Sequence, residues 1–217
     1  MKIKLGSLLF SMAYLLLASW THANTYDEGI EYQLIVPPVR TSNPDKVEVV
    51  EMFWYGCPHC YSLEPKLLKW KAKLPSNVEF IRIPAILKDR QGNYIPEWET
   101  HARAFYTAEL LGVLDKMHES LFKEIHHKNK KLVSKPALAK FFSQYGISQA
   151  DFNATFDSFG VLMKVNRAKD LTERYGTNGV PTLVVNGRYK SQATLTNGQD
   201  ELLKLVDFLI KKESKTP

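Results

Sequence analysis

This chain contains two cysteines and no others, two residues apart in the stretch Phe53-Trp54-Tyr55-Gly56-Cys57-Pro58-His59-Cys60-Tyr61. The stretch lies where an apolar run of strand character gives way to a segment of helical spacing, so the pair falls on a strand-to-helix junction. A thiol in the first turn of a helix faces unpaired backbone N–H groups and the positive end of the helix dipole, both of which favour the thiolate. Pro58 suits that first turn, because its φ is pre-set and the N–H it lacks would have had no partner. His59, if protonated, adds a positive charge beside Cys57. Two cysteines at this spacing can close and reopen a small disulfide with little backbone movement, whereas so short a loop is a poor structural staple. A zinc site is the alternative, but structural zinc takes four ligands, usually from two separated pairs, and no second cysteine pair exists.

The flanking sequence sets the fold around that junction. Residues 47–55, Val-Glu-Val-Val-Glu-Met-Phe-Trp-Tyr, are apolar at most positions on both faces, as in a central strand. Glu51 stands out on the face it shares with Val49, Phe53 and Tyr55. It is either a solvated strand position or a carboxylate buried beneath the helix, able to exchange a proton with Cys60. Residues 61–74 continue the helix with Leu63, Leu67, Leu68 and Trp70 as its apolar stripe, and Pro65 is expected to bend it. Residues 78–83 read as the next strand, which makes a right-handed parallel βαβ unit.

A composition shift follows. From Ile95 to Phe159 the apolar residues recur at helical spacing in four runs without an intervening strand: Trp98, Ala102, Phe105 and Tyr106; Leu114, Met117, Leu121 and Ile125; Leu138, Phe141, Phe142 and Tyr145 after Ser134; and Phe152, Phe156 and Phe159 after Ser148. A longer helix with Val161, Leu162, Val165, Ala168 and Leu171 ends at Gly176. His126-His127-Lys128-Asn129-Lys130-Lys131, between two of the runs, reads as a solvated basic loop, with a patch for an acidic partner as the alternative and no nearby residues to complete a metal site. Val180-Pro181 precedes a short strand, where the proline is compatible with a cis bond, and Asn186-Gly187 signals a hairpin. An amphipathic helix over residues 199–212 closes the chain. Residues 32–36 read as a short first strand stopped by Pro37-Pro38, after a mobile lead-in at residues 24–29, and the last few residues are expected to fray.

The amino terminus gives the compartment. Met1-Lys2-Ile3-Lys4 is basic, residues 5–18 are apolar, and Ser19-Trp20-Thr21-His22-Ala23 supplies small residues at the exit. This is the order of a secretory signal peptide cleaved after Ala23, with an apolar part shorter than the roughly 20 residues that span a bilayer; a retained membrane anchor is the alternative. Export to an oxidising compartment lets a disulfide persist and be passed on. The formal net charge of +6 falls to nearer +4 without Lys2 and Lys4, and neither an arginine-rich block nor a Gly-rich phosphate loop is present. The composition therefore gives no sign of a nucleic-acid or nucleotide partner.

Strand, Cys-Pro-His-Cys helix, strand, helical insertion, then Val-Pro-Thr before a hairpin and a terminal helix resembles the thioredoxin superfamily. More narrowly it resembles the DsbA family of periplasmic thiol:disulfide oxidoreductases, over essentially the whole mature chain. Pro58-His59 is the most specific feature, typical of the oxidant branch, while Pro65 is less typical of that branch and similar to the kinked helix of thioredoxin. The resemblance implies an α/β thioredoxin fold in two parts, residues 24–95 and 161–217, around a helical insertion at 96–160. It implies Cys57 as the exposed nucleophile, Cys60 as the resolving thiol, Pro58, His59 and Glu51 as contributors to catalysis, and Glu64 as a nearby acid. Val180 and Pro181 would form the loop that holds an extended substrate. The implied activity is donation of the Cys57–Cys60 disulfide to reduced exported proteins, with re-oxidation by a quinone-linked membrane oxidase of the DsbB type. No cofactor or metal beyond the cysteine pair, a monomeric state and a periplasmic location complete the expectation. A disulfide isomerase or reductase on the same fold, a chaperone using the apolar surface near Val180, and a zinc module are the competing readings.

Overall fold

The computed structural model describes residues 26–214. The signal peptide expected at residues 1–23, the start of the lead-in and the last three residues lie outside them. Tyr26, placed by sequence in a mobile lead-in, is instead buried, edge-on to Phe208 and donating its hydroxyl to Glu201. An aromatic ring so close to the start of the described chain anchors that segment on the closing helix.

A five-stranded mixed sheet carries the molecule, in the order β1-β5-β4-β2-β3. Its strands are β1 (Gln33–Leu34), β2 (Val47–Phe53), β3 (Val78–Pro84), β4 (Thr182–Val185) and β5 (Tyr189–Ser191). Every residue of β2 is buried, which explains its near-continuous apolar run. β2 pairs parallel with β3 and antiparallel with β4, so the strand that leads to the cysteines is fixed on both sides. β1 is shorter than sequence indicates, because only Gln33 and Leu34 meet β5. The β4–β5 turn uses positive φ at Asn186 (52°) and Gly187 (62°). A side chain at Gly187 would meet the Val39 carbonyl at 1.9 Å, so glycine is required there.

α1 (Pro58–Lys71) connects β2 to β3 and continues through Pro65. Leu63, Leu67 and Trp70 face the core as expected, but Leu68 is 42% exposed and does not belong to the stripe. Four helices follow β3 without a strand: α2 (Pro96–Leu110), α3 (Leu114–His126), α4 (Lys135–Ser143) and α5 (Gln149–Phe156). Ser134 and Ser148 cap α4 and α5 through their hydroxyls. α6 (Phe159–Arg174) returns the chain to the sheet and α7 (Gln199–Glu213) closes it. Phe159, counted by spacing with the α5 stripe, is 74% exposed and begins α6 after the Ser158 cap. The helix break at Asp157 and Ser158 resets the phase and turns that ring outward.

The core forms two clusters. One packs β2, β4 and β5 against α1 and α7 through residues such as Val49, Leu63, Leu67, Val185 and Leu205. The other joins the end of β2 to the helical insertion through Phe53, Phe105, Phe122, Phe142 and Phe152, and includes both cysteines. The cysteine pair therefore sits where the α/β part meets the insertion. The fold is of the thioredoxin type with inserted helices.

Candidate active site

β2 ends at Phe53, and a tight turn through Trp54, Tyr55 and Gly56 delivers Cys57 to the N-cap of α1, where its backbone is extended and Pro58 follows as the first helical residue. The Cys57 N–H donates to the Trp54 carbonyl at 3.0 Å, which closes the turn. Gly56 is needed for packing: a Cβ there would lie 2.3 Å from the Trp54 ring, which is itself stacked on Trp98 at 4.5 Å with 5° between the planes.

The two thiols have opposite environments. At Cys57 the hydrogen bond from the Cys60 thiol outweighs burial. With the backbone N–H groups of Cys60 and His59 and the His59 charge, it lowers the Cys57 thiol to about 6. The His59 charge is the smallest of these, so the helix terminus acts mainly through its N–H groups, and the exposed imidazole adds little. Cys60 is fully buried, and that burial, together with the Cys57 and Glu51 charges, holds its thiol well above the ordinary value. Cys57 Sγ–H donates to the Val180 carbonyl at 3.3 Å. That contact sets the loop read from sequence against the nucleophile candidate, and the Val180–Pro181 bond is cis.

Glu51 is 1% exposed, which decides between its two sequence readings. Burial pushes its carboxyl up to about 8 against the opposing effect of Arg82. Arg82, opposite Glu51 in the β2–β3 register, donates from Nε to Glu51 Oε2 at 3.1 Å and from Nη2 to Glu64 Oε1 at 2.6 Å. One guanidinium thus serves two buried carboxylates. Burial raises the Glu64 carboxyl, but His118 and Arg82 together outweigh it and keep it below the usual range.

Arg82, His118 and the Tyr55 hydroxyl form part of this site and escape sequence reasoning. Arg82 is a lone cation in an apolar strand, a signal that gains meaning only with the register opposite Glu51. The basic stretch 126–131 is corrected: it is not simply solvated. His126 Nε2 lies 2.9 Å from the Tyr55 carbonyl and its ring stacks on Tyr61, while His127 Nε2 lies 2.6 Å from the Tyr61 hydroxyl. Lys128 and Lys130 both reach Glu124. The stretch is latched onto the turn that presents Cys57, two residues beyond Tyr55. Among the described residues no group of three or more His, Cys, Asp or Glu side chains is placed to hold a metal ion. No described helix is long and apolar enough to cross a membrane.

The family model described as a DSBA-like thioredoxin domain matches residues 48–209. A Pseudomonas aeruginosa protein named thiol:disulfide interchange protein DsbA is 40% identical over 205 residues, covering 94% of this chain and 90% of that protein. The protein of the same name from Pseudomonas syringae pv. tomato is 39% identical over 191 residues, covering 88% of this chain and 86% of its own. The crystal structure of Pseudomonas aeruginosa DsbA superposes with a TM-score of 0.81 at 41% identity, covering 88% of this chain and 96% of that one.

Proposed function

Since this chain belongs to the DSBA-like thioredoxin-domain family, whose members are protein-disulfide oxidoreductases, we propose that it donates the Cys57–Cys60 disulfide to reduced exported proteins as they fold. A substrate thiolate attacks Cys57 Sγ, the Cys57–Cys60 bond breaks, and Cys60 leaves as a thiolate that takes up a proton. A second substrate thiolate then attacks the substrate sulfur of the mixed disulfide and releases the Cys57 thiolate. Two electrons pass from the substrate dithiol to the cysteine pair, leaving the substrate oxidised.

The observation that carries this reading is the placement of the two thiols: Cys57 at the N-cap of α1 with its Sγ against the Val180 carbonyl, and Cys60 buried behind it, an arrangement that lowers Cys57 to about 6 and raises Cys60. A low leaving-group pKa speeds release from Cys57, and a stabilised thiolate in the dithiol makes the disulfide the less stable form. Glu51, protonated near neutrality, is the proposed proton source for Cys60. Pro58 shapes the helix start, and His59 makes a small contribution to the Cys57 thiolate. The Val180 carbonyl, already in contact with Cys57, belongs to the loop with Pro181 against which an extended substrate would pair by strand-like hydrogen bonds. The proposed setting is the periplasm, reached through the signal peptide. There a quinone-linked membrane oxidase of the DsbB type restores the disulfide of a monomeric protein that needs no metal or other cofactor.

The test uses a reduced, exported protein as substrate. Cys57→Ser should abolish its oxidation and Cys60→Ser should accumulate substrate joined to Cys57 by a mixed disulfide, resolved on non-reducing gels. Oxidation at the wild-type rate by Cys57→Ser would sink the scheme.

A further inference from the structure

A buried histidine-tyrosine pair adjoins the carboxyl groups of Glu51 and Glu64. His118, on α3, is 6% exposed, and its Nδ1 lies 2.8 Å from the Tyr55 hydroxyl. Its Nε2 lies 3.6 Å from Glu64 Oε2, beyond hydrogen-bond range but close enough for electrostatic contact. Three buried atoms at this spot have no hydrogen-bond partner: Glu51 Oε1, Glu64 Oε2 and His118 Nε2. Unpaired buried polar groups are costly, so their grouping calls for a role.

The tautomer follows from the partners. Burial keeps the Tyr55 phenol protonated, so its O–H can donate to Nδ1 and leave the imidazole proton on Nε2, aimed at Glu64. Burial disfavours the imidazolium as well, which makes His118 a neutral donor. The groups facing it from neighbouring elements are Tyr55 of the turn after β2, Glu64 of α1 with Lys71 farther along that helix, and Arg82 of β3. The α2 side contributes the Phe105 ring.

Glu51 and Glu64 share one guanidinium, so with both carboxyls ionised the trio carries one net negative charge, which a single proton on either of them removes. We propose that His118, oriented by Tyr55, is a positioning residue that supports the ionised Glu64 and thereby leaves the proton on Glu51. A neutral Glu51 does not repel the Cys57 thiolate and has a proton to give to Cys60. With the proton on Glu64 instead, the charge would move to Glu51, where it opposes ionisation of both cysteines. His118 thus acts on the redox pair through two carboxylates without touching either sulfur.

This inference rests on the reading of Cys57 and Cys60 as the redox pair, and the experiment separates the two. Wild type, His118→Phe, His118→Gln and Tyr55→Phe would be compared by Cys57 titration (thiolate absorbance), by the pH dependence of the Cys57/Cys60 potential in glutathione buffers, and by thermal unfolding. His118→Phe should raise the Cys57 midpoint by roughly one unit, a tenfold loss of thiolate below that midpoint, and make the pair less oxidising. His118→Gln, which can still offer an N–H toward Glu64, should restore most of the wild-type profile. Tyr55→Phe, which removes one hydroxyl and nothing else, should shift the midpoint in the same direction and serves where His118→Phe does not fold. Unchanged titration and potential in the folded variants, with only the unfolding temperature lowered, would overturn the positioning role. A wild-type protein that does not oxidise dithiols would overturn the underlying reading and this inference with it.

Discussion

Glu51 should make the reduced protein lose stability as the pH rises, and Glu51→Gln should remove that loss. Burial raises the carboxyl from 4.5 to about 8, so the folded state holds its proton more tightly than the unfolded chain does. A group raised in this way supports folding fully below its unfolded value, and that support is lost as the pH climbs through its folded value, here between about 4.5 and 8. At about 1.4 kcal/mol per unit, the full interval has a ceiling of about 5 kcal/mol. Arg82 already contacts Glu51 and can follow the charge between the two carboxylates, which brings the expected effect to roughly 2–4 kcal/mol. Gln keeps the oxygen that accepts from Arg82 Nε and cannot ionise, so it imitates the protonated acid. Urea unfolding of both reduced proteins at pH 5 and pH 9 measures the difference directly, since the Cys57 titration is common to both and its repulsion by ionised Glu51 acts in the same direction as the loss being measured. The variant should be close to wild type at pH 5 and more stable by roughly 2–4 kcal/mol at pH 9. A stability difference that is the same at both pH values, or that moves in favour of wild type with rising pH, would refute the buried, proton-bearing Glu51.

Arg82→Met should cost about 3–5 kcal/mol at pH 8, because it strands Glu51 and Glu64 without their cation. Part of that loss should return at pH 5, where both carboxyls can be protonated, and a pH-independent loss in urea unfolding would argue that packing alone is at stake. Gly56→Ala should cost roughly 1–3 kcal/mol, since the new methyl meets the Trp54 ring at 2.3 Å and that ring is held against Trp98. Unchanged stability would mean that the indole stack yields freely.

The sequence exposes those parts of the site that depend on neighbours along the chain. Cys57, Pro58, His59 and Cys60 announce a strand-to-helix turn by themselves, and Val180-Pro181 can be recognised from its place before a hairpin. The helical insertion is legible because each of its runs repeats apolar residues over several turns, and serine caps mark two of the starts. What escapes is set by distance in space. Arg82 acquires its role from the parallel register that sets it opposite Glu51, a relation no spacing within β3 contains. His118 occupies the buried seam of α3 between Met117 and Leu121, so a titratable group inside an apolar stripe was the available signal. His126 and His127 were hidden by the lysines after them, which make the segment look solvated although its first two rings pack on Tyr61. Leu68 and Phe159 erred the other way, as apolar residues at plausible spacing that a helix face or a helix break turns outward.

The same arrangement accounts for the direction of electron flow. At Cys57 the donors come from the first turn of α1 and from the Cys60 thiol, and they favour charge on that sulfur. At Cys60 burial and the neighbouring Cys57 sulfur stand against charge, so the dithiol settles as one thiolate and one thiol rather than as two competing acids. A disulfide can carry neither charge nor proton, so every interaction that favours this mixed state favours reduction. The buried network bears on the balance through a single proton. While Glu51 holds it, the carboxyl is neutral under the cysteines and the thiolate gains. As the pH rises and Glu51 ionises, the new charge opposes the thiolate and the fold weakens together. Glu51's own contributions to the stability of the reduced protein and to its oxidising strength should therefore decline over the same pH interval, against the gain that the lowered Cys57 thiol brings, and both declines should be absent in Glu51→Gln.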